Sequence, residues 1–293
     1  MNSKKLVPKS IALSLSLLIP ISFVLFVDWV KKLAAAKLIK RREDKGRSEY
    51  HDFSRTLEYE LKEKHSYREG ELKFFLPYSM VYLLILILLF LIIGPYFNFD
   101  LIEINVSSEY NRSIKEKLIR TIMVLTFNFI LYSGLLIQFI FGNEILYPKT
   151  RFSLFMEQFY GPCIEELIYR GLLFTLFKQA GYRGIKSAIY SSLTFSLSHF
   201  RHIFDIYFTK TMLPHLFFQS FYTLLFGFYT CYAYNYSGTI FAPILLHCIC
   251  NTLQMPRFDY LKDESVTKFK RHVISYAYII GILGWFILIS IYH

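Results

Sequence analysis

The sequence predicts an all-α, multi-pass transmembrane bundle of about eight helices, and three observations lead there. The 293 residues are 54% hydrophobic and only 19% charged, more apolar and less charged than a soluble domain. Eight apolar segments approach or reach the roughly 20 residues that cross a bilayer as a helix. The basic residues behind the formal charge of +11 gather between those segments rather than along one face, which suits membrane orientation and argues against nucleic acid as a partner.

The first segment, 10 to 30, follows Lys4, Lys5 and Lys9 as a signal peptide would. No small-residue cleavage site follows it, and Asp28, Trp29, Lys31 and Lys32 read as a helix end, so it is expected to stay as a span. The polar interval 31 to 73 holds thirteen Lys and Arg, and Tyr50, Phe53, Leu57 and Leu61 recur within it at helical spacing, as in an amphipathic helix on the membrane surface. The remaining spans are expected at 74 to 97, 118 to 142, 153 to 177, 187 to 201, 213 to 235, 239 to 255 and 272 to 292. Those at 187 and 239 are short and carry histidines, so they are expected inside the bundle. If 31 to 73 is cytosolic, alternation places 21 basic residues on that side against 9 opposite, which puts both termini on the lumenal or external side. The sequons at Asn105 and Asn111 then fall in a lumenal loop. Three parts result: N-terminal helices with their basic segment (1–149), a core rich in buried polar residues (150–258), and a loop with the last span (259–293). Cys163, Cys231, Cys248 and Cys250 lie in apolar stretches without CxxC spacing and read as buried thiols.

Polar residues inside the core segments are costly there, and such residues are functional candidates by default. Glu165, Glu166 and Arg170 follow Gly161-Pro162-Cys163-Ile164 in the fourth segment. Glu166 and Arg170 are four apart, share a helix face and can pair. One arginine does not readily compensate two carboxylates, which leaves Glu165 suited to taking up a proton. Phe195 and His199 share a face in the fifth segment, and His247 and Asn251 in the seventh. A carboxylate, two imidazoles and an amide can supply a base, its partner and an oxyanion hole. Taken singly, each group is equally readable as a packing ion pair or an interhelical hydrogen bond.

In order, these residues resemble the signature of the type II CaaX prenyl protease family. Glu-Glu-x-x-x-Arg stands at Glu165, Glu166 and Arg170, Phe-x-x-x-His at Phe195 and His199, and His-x-x-x-Asn at His247 and Asn251. The likeness extends to Tyr169-Arg170-Gly171, to His199-Phe200-Arg201-His202 and to Met255-Pro256 after Asn251, as in the eukaryotic Ras-converting endopeptidases. The resemblance implies an eight-helix endopeptidase of the endoplasmic reticulum membrane whose intramembrane catalytic cavity opens to the cytosol and the bilayer. It implies prenylated CaaX proteins, such as Ras-like small GTPases, as substrates that lose their last three residues. It also implies that Glu165 and His199 activate a water, that His247 and Asn251 hold the oxyanion, and that Glu166 with Arg170 supports the site, with no cofactor and no metal.

Two other readings stay open on the residues alone. Glu165, His199, His247 and His202 are zinc-compatible, although the chain has no His-Glu-x-x-His and an amide such as Asn251 is a poor zinc ligand. A non-catalytic scaffold or transporter would use the same buried ions for packing or proton relay.

Overall fold

A computed structural model describes residues 7–43, 75–88, 91, 112–141, 151–182, 184–200, 213–254, 256 and 258–292, and among them there is helix and no strand. In chain order the helices are α1 (Lys9–Glu43), α2 (Phe75–Leu88), α3 (Ile114–Leu131), α4 (Ser133–Ile140), α5 (Arg151–Phe155), α6 (Gly161–Glu166), α7 (Thr175–Gln179), α8 (Ile185–Ser198), α9 (Leu213–Ser237), α10 (Phe241–Leu253) and α11 (Lys268–Ile291). π-helical turns over Met156–Tyr160 and Leu167–Phe174 join α5, α6 and α7.

Every one of the eight apolar segments contains helix. Within α1 the stretch Lys9–Val30, and all of α11, are long and apolar enough to cross a membrane; α3 with α4 adds a third span if that bent pair is one crossing. The chain is an all-α membrane bundle. Leu17, Leu18, Ile21 and Leu25 of α1 and Ile280, Leu283, Phe286 and Ile287 of α11 turn their apolar side chains outward, as helices facing lipid do. Past Val30, α1 runs on into the basic interval as far as Glu43. Tyr50, Phe53, Leu57, Leu61, both sequon asparagines and His202 lie outside the described residues.

The chain divides into two units, each assembled from separate stretches: 1–101, 151–156 and 172–228 in the first, and 102–150, 157–171 and 229–293 in the second. Residues 150–258, which read as one core in the sequence, are shared between them. In the first unit α1 packs on α7 and α8, and the Val7 N–H donates to the Gln179 carbonyl at 3.1 Å. Tyr82 of α2 meets α1 through the Ser22 hydroxyl at 2.7 Å and stacks on Phe26. The α8 face made of Ser187, Ser191, Ser192 and Ser196 is buried, and small side chains there let helices approach closely. The Ser196 hydroxyl donates to the Ser220 carbonyl of α9 at 2.5 Å.

In the second unit, α3 opens on a Ser-x-x-Glu cap, in which the Ser113 hydroxyl accepts from the Glu116 N–H. A bend of 61° separates α3 from α4. The bend falls at Tyr132-Ser133-Gly134, a Ser-Gly pair of the kind that interrupts helices. It also fits α4 against α11: the Ser133 hydroxyl donates to the Ala277 carbonyl at 2.8 Å, and buried Tyr278 donates to the Gln138 Oε1 at 2.7 Å. A Cβ on Gly134 would fall inside the Tyr278 ring, and one on Gly281 would stand 2.6 Å from the Ile130 carbonyl oxygen. α10 packs on both α3 and α6, and Val124, Tyr229, Ala233 and Leu246 form a core beside it.

Gly134→Ala is therefore expected to cost about 1–3 kcal/mol through overpacking. The midpoint of thermal unfolding in detergent should fall, and Tyr278→Leu in the same chain should restore part of it.

Candidate active site

The helical run that carries the acidic motif is not a regular α-helix. Pro162 has no N–H to donate, and its ring would collide with the carbonyl four residues earlier. The wide π turn over Met156–Tyr160 lies directly before it and relieves both constraints, and a second π stretch, Leu167–Phe174, contains Arg170. π turns of this kind concentrate at functional sites.

From this helix three charged side chains meet one from α10. The Arg170 guanidinium donates to Glu166 Oε1 at 3.0 Å, and both side chains are fully buried. His247 brings Nδ1 to within 2.8 Å of that same oxygen. Its other nitrogen, Nε2, stands 3.9 Å from Glu165 Oε2. The expected pairing of Glu166 with Arg170 is present, and the second carboxylate has a partner that the helix spacing alone did not supply. The Glu165 side chain remains 14% exposed where Glu166 has none, so Glu165 is the carboxylate that an incoming molecule can reach. Glu166 Oε2 is buried with no hydrogen-bond partner among the described residues, and such an oxygen is normally met by water or a bound N–H.

Asn251, one turn along α10 from His247, is exposed, and its Nδ2 donates to the Glu157 carbonyl at 2.9 Å. An amide nitrogen carries two hydrogens, so this bond orients the group and leaves the second hydrogen to another acceptor. α10 ends two residues later at Leu253, and the capping Gln254 has a φ of 65°, rare for a residue with a Cβ.

His199 belongs to the first unit, at the C-terminal cap of α8. The Phe195 carbonyl near this helix end accepts from the Ser198 hydroxyl at 2.7 Å, and His199 Nδ1 lies 2.9 Å from it. This contact sets Nδ1 as the protonated nitrogen and makes Nε2 the basic one. The Phe195 ring meets the imidazole edge-on, with centroids 4.8 Å apart, so the Phe-x-x-x-His spacing fixes both the orientation and the tautomer of His199. Glu165, Glu166, Arg170, His247 and Asn251 all belong to the second unit. Among the described residues no three His, Cys, Asp or Glu side chains are grouped as a metal ion requires.

Residues 148–253 match the family model described as "Type II CAAX prenyl endopeptidase Rce1-like". That stretch of the chain is similar to the family, and all six candidate site residues lie within this Rce1-like match. Curated relatives include "CAAX prenyl protease 2" of Arabidopsis thaliana, 26% identical over 154 residues that make up 50% of this chain and 46% of that protein. "CAAX prenyl protease 2" of Homo sapiens is 30% identical over 106 residues, 34% of this chain and 32% of that protein. "Probable CAAX prenyl protease 2" of Schizosaccharomyces pombe is 23% identical over 133 residues, 43% of this chain and 48% of that protein. The chain thus spans less than half the length of each of these relatives. No solved structure matches it.

Residue spacing did not disclose the Glu157 carbonyl that holds Asn251, or the bond between Glu166 and His247. The first depends on the π turn, for which Pro162 was the visible signal, and the second on the packing of α10 against α6. Removing one member of a buried ion pair costs about 3–5 kcal/mol, whereas replacing both with uncharged groups costs far less. Arg170→Met is expected to lose stability on that scale, and Glu166→Gln combined with Arg170→Met to recover most of it, read from unfolding in detergent. Gln254→Gly is expected to stabilise the protein by about 1 kcal/mol by removing backbone strain, read the same way.

Proposed function

We propose that this chain is an intramembrane endopeptidase that removes the last three residues of prenylated CaaX proteins, Ras-like small GTPases among them, in the endoplasmic reticulum membrane with its site reached from the cytosol. The observation that carries this reading is the buried cluster of Glu165, Glu166, Arg170 and His247 inside the Rce1-like match. A charged cluster of this size in a membrane bundle is expensive, and a hydrolytic site gives it a use.

In the proposed reaction Glu165, the reachable carboxylate, takes a proton from water as the water attacks the carbonyl of the lipidated cysteine. A part for His199 in activating that water rests on the Phe-x-x-x-His resemblance to the family; its Nε2 carries the basic lone pair. The oxyanion that develops accepts from the buried His247 Nε2–H and from the second hydrogen of Asn251 Nδ2, donors already aimed before charge develops. Glu166 and Arg170 touch no reacting atom in this scheme. They hold His247 by its Nδ1, so that Nε2 points toward Glu165. The proton taken by Glu165 passes to the departing amine as the C–N bond breaks. A helix bundle in the bilayer also suits the substrate, because a prenyl chain can stay in lipid while the peptide meets the polar groups.

Purified protein is expected to release the tripeptide from a farnesylated CaaX peptide and to leave its unprenylated twin uncut. Cleavage of neither would overturn the substrate assignment. Glu165→Gln should lower the rate by about 10²- to 10⁴-fold, the usual contribution of a general base, with unfolding unchanged. A variant that unfolds instead would assign Glu165 to packing.

A further inference from the structure

The four cysteines are free thiols of two kinds: Cys231 and Cys250 are buried, whereas Cys163 and Cys248 are partly exposed. The two partly exposed thiols lie on packed helices, close enough to act on each other electrostatically. Their positions tie them to the charged cluster. Cys163 lies on α6, two residues before Glu165, and Cys248 follows His247 on α10. α6 packs on α10, and the 2.8 Å contact between His247 and Glu166 joins the same two helices one residue away from Cys248. A disulfide needs the sulfurs at about 2.05 Å and the Cα atoms within about 4.4–6.8 Å of each other. Thiols on packed helices, beside a 2.8 Å contact between those same helices, approach that geometry by rotation about their side-chain bonds, together with a small shift of the helices.

We propose that Cys163 and Cys248 are a modification site at which a peroxide forms a disulfide, and that this cross-link reversibly shuts off the neighbouring charged cluster. The first thiol, as its thiolate, attacks one oxygen of hydrogen peroxide, giving a sulfenic acid and hydroxide. The second sulfur attacks the sulfenic sulfur, forming the S–S bond and releasing water. Overall two thiols and one peroxide give one disulfide and two waters, with two electrons passing from sulfur to peroxide. A dithiol returns those electrons by exchange through a mixed disulfide. Forming the S–S bond pulls α6 and α10 together at Cys163 and Cys248. It thereby displaces His247 from the position that its bond to Glu166 defines, and a displacement of about 1 Å in a catalytic group costs on the order of 10²-fold in rate. The loss of activity rests on the proposed function; the cross-link itself does not.

The test treats the purified full chain in detergent with hydrogen peroxide, alkylates the remaining thiols, and maps the digest by mass spectrometry. A peptide pair linked through Cys163 and Cys248 is expected, and it should disappear with dithiothreitol. Cleavage of a farnesylated CaaX peptide should fall at least tenfold with peroxide and return with dithiothreitol. Cys163→Ser and Cys248→Ser should each cleave at close to the untreated rate and resist peroxide, whereas Cys231→Ser should remain sensitive. Absence of the linked pair from treated protein overturns the proposal, as does peroxide inactivation of both serine variants to the wild-type extent. A chain that cleaves no prenylated peptide even when reduced defeats the proposed function instead, and the linked pair then decides the modification site alone.

Discussion

One carboxylate oxygen, Glu166 Oε1, accepts from the Arg170 guanidinium at 3.0 Å and lies 2.8 Å from His247 Nδ1, in an interior where neither Glu166 nor Arg170 has any exposed surface. Removing charges from water costs several kcal/mol each, and only close, well-oriented partners offset that cost. The rest of the second unit is arranged to keep this contact. α10 must lie against α6, the helix that bears Glu166 must pass through π turns around Pro162, and Arg170 must reach back four residues along its own helix.

The cluster divides labour by exposure. Glu166 and Arg170 are sealed, so they are suited to positioning. Glu165 is the carboxylate on the accessible side, and His247 stands between the two, with one nitrogen toward each. Asn251 is oriented by the Glu157 carbonyl, a group contributed by the π turn that Pro162 favours. The irregular winding of the helix therefore serves two purposes: it accommodates the proline, and it places a backbone carbonyl where the amide needs one.

Much of the fold was legible because a bilayer leaves few alternatives. Runs such as 10 to 30 and 272 to 292 have to be helical to satisfy their own backbone in lipid, and both are. Spacing also disclosed the Glu166 and Arg170 pair, since residues four apart on one helix meet whatever surrounds them. What spacing could not disclose is contact between helices. The bond from Glu166 to His247 joins positions 81 residues apart in the chain. A helical wheel leaves Glu165 underpaired, and the packing of α10 brings His247 Nε2 to 3.9 Å from it. The continuation of α1 to Glu43 was hidden for a different reason: the basic residues that end an apolar run do not end a helix, because Lys and Arg are good helix formers. The bend between α3 and α4 lies inside an unbroken apolar run, where hydropathy carries no signal and only Ser133-Gly134 marks the place.

The most direct test of the central contact is a double-mutant cycle between Glu166→Gln and His247→Gln, read both as unfolding free energy in detergent and as the rate of prenyl-peptide cleavage. Residues in one buried network couple by about 0.5–3 kcal/mol, and independent residues add to within about 0.5 kcal/mol. Coupling above about 1 kcal/mol, with the double variant cleaving little more slowly than the worse single variant, is the predicted result. Additive losses in both stability and rate would contradict the account, because they would mean that Glu166 does not act through His247.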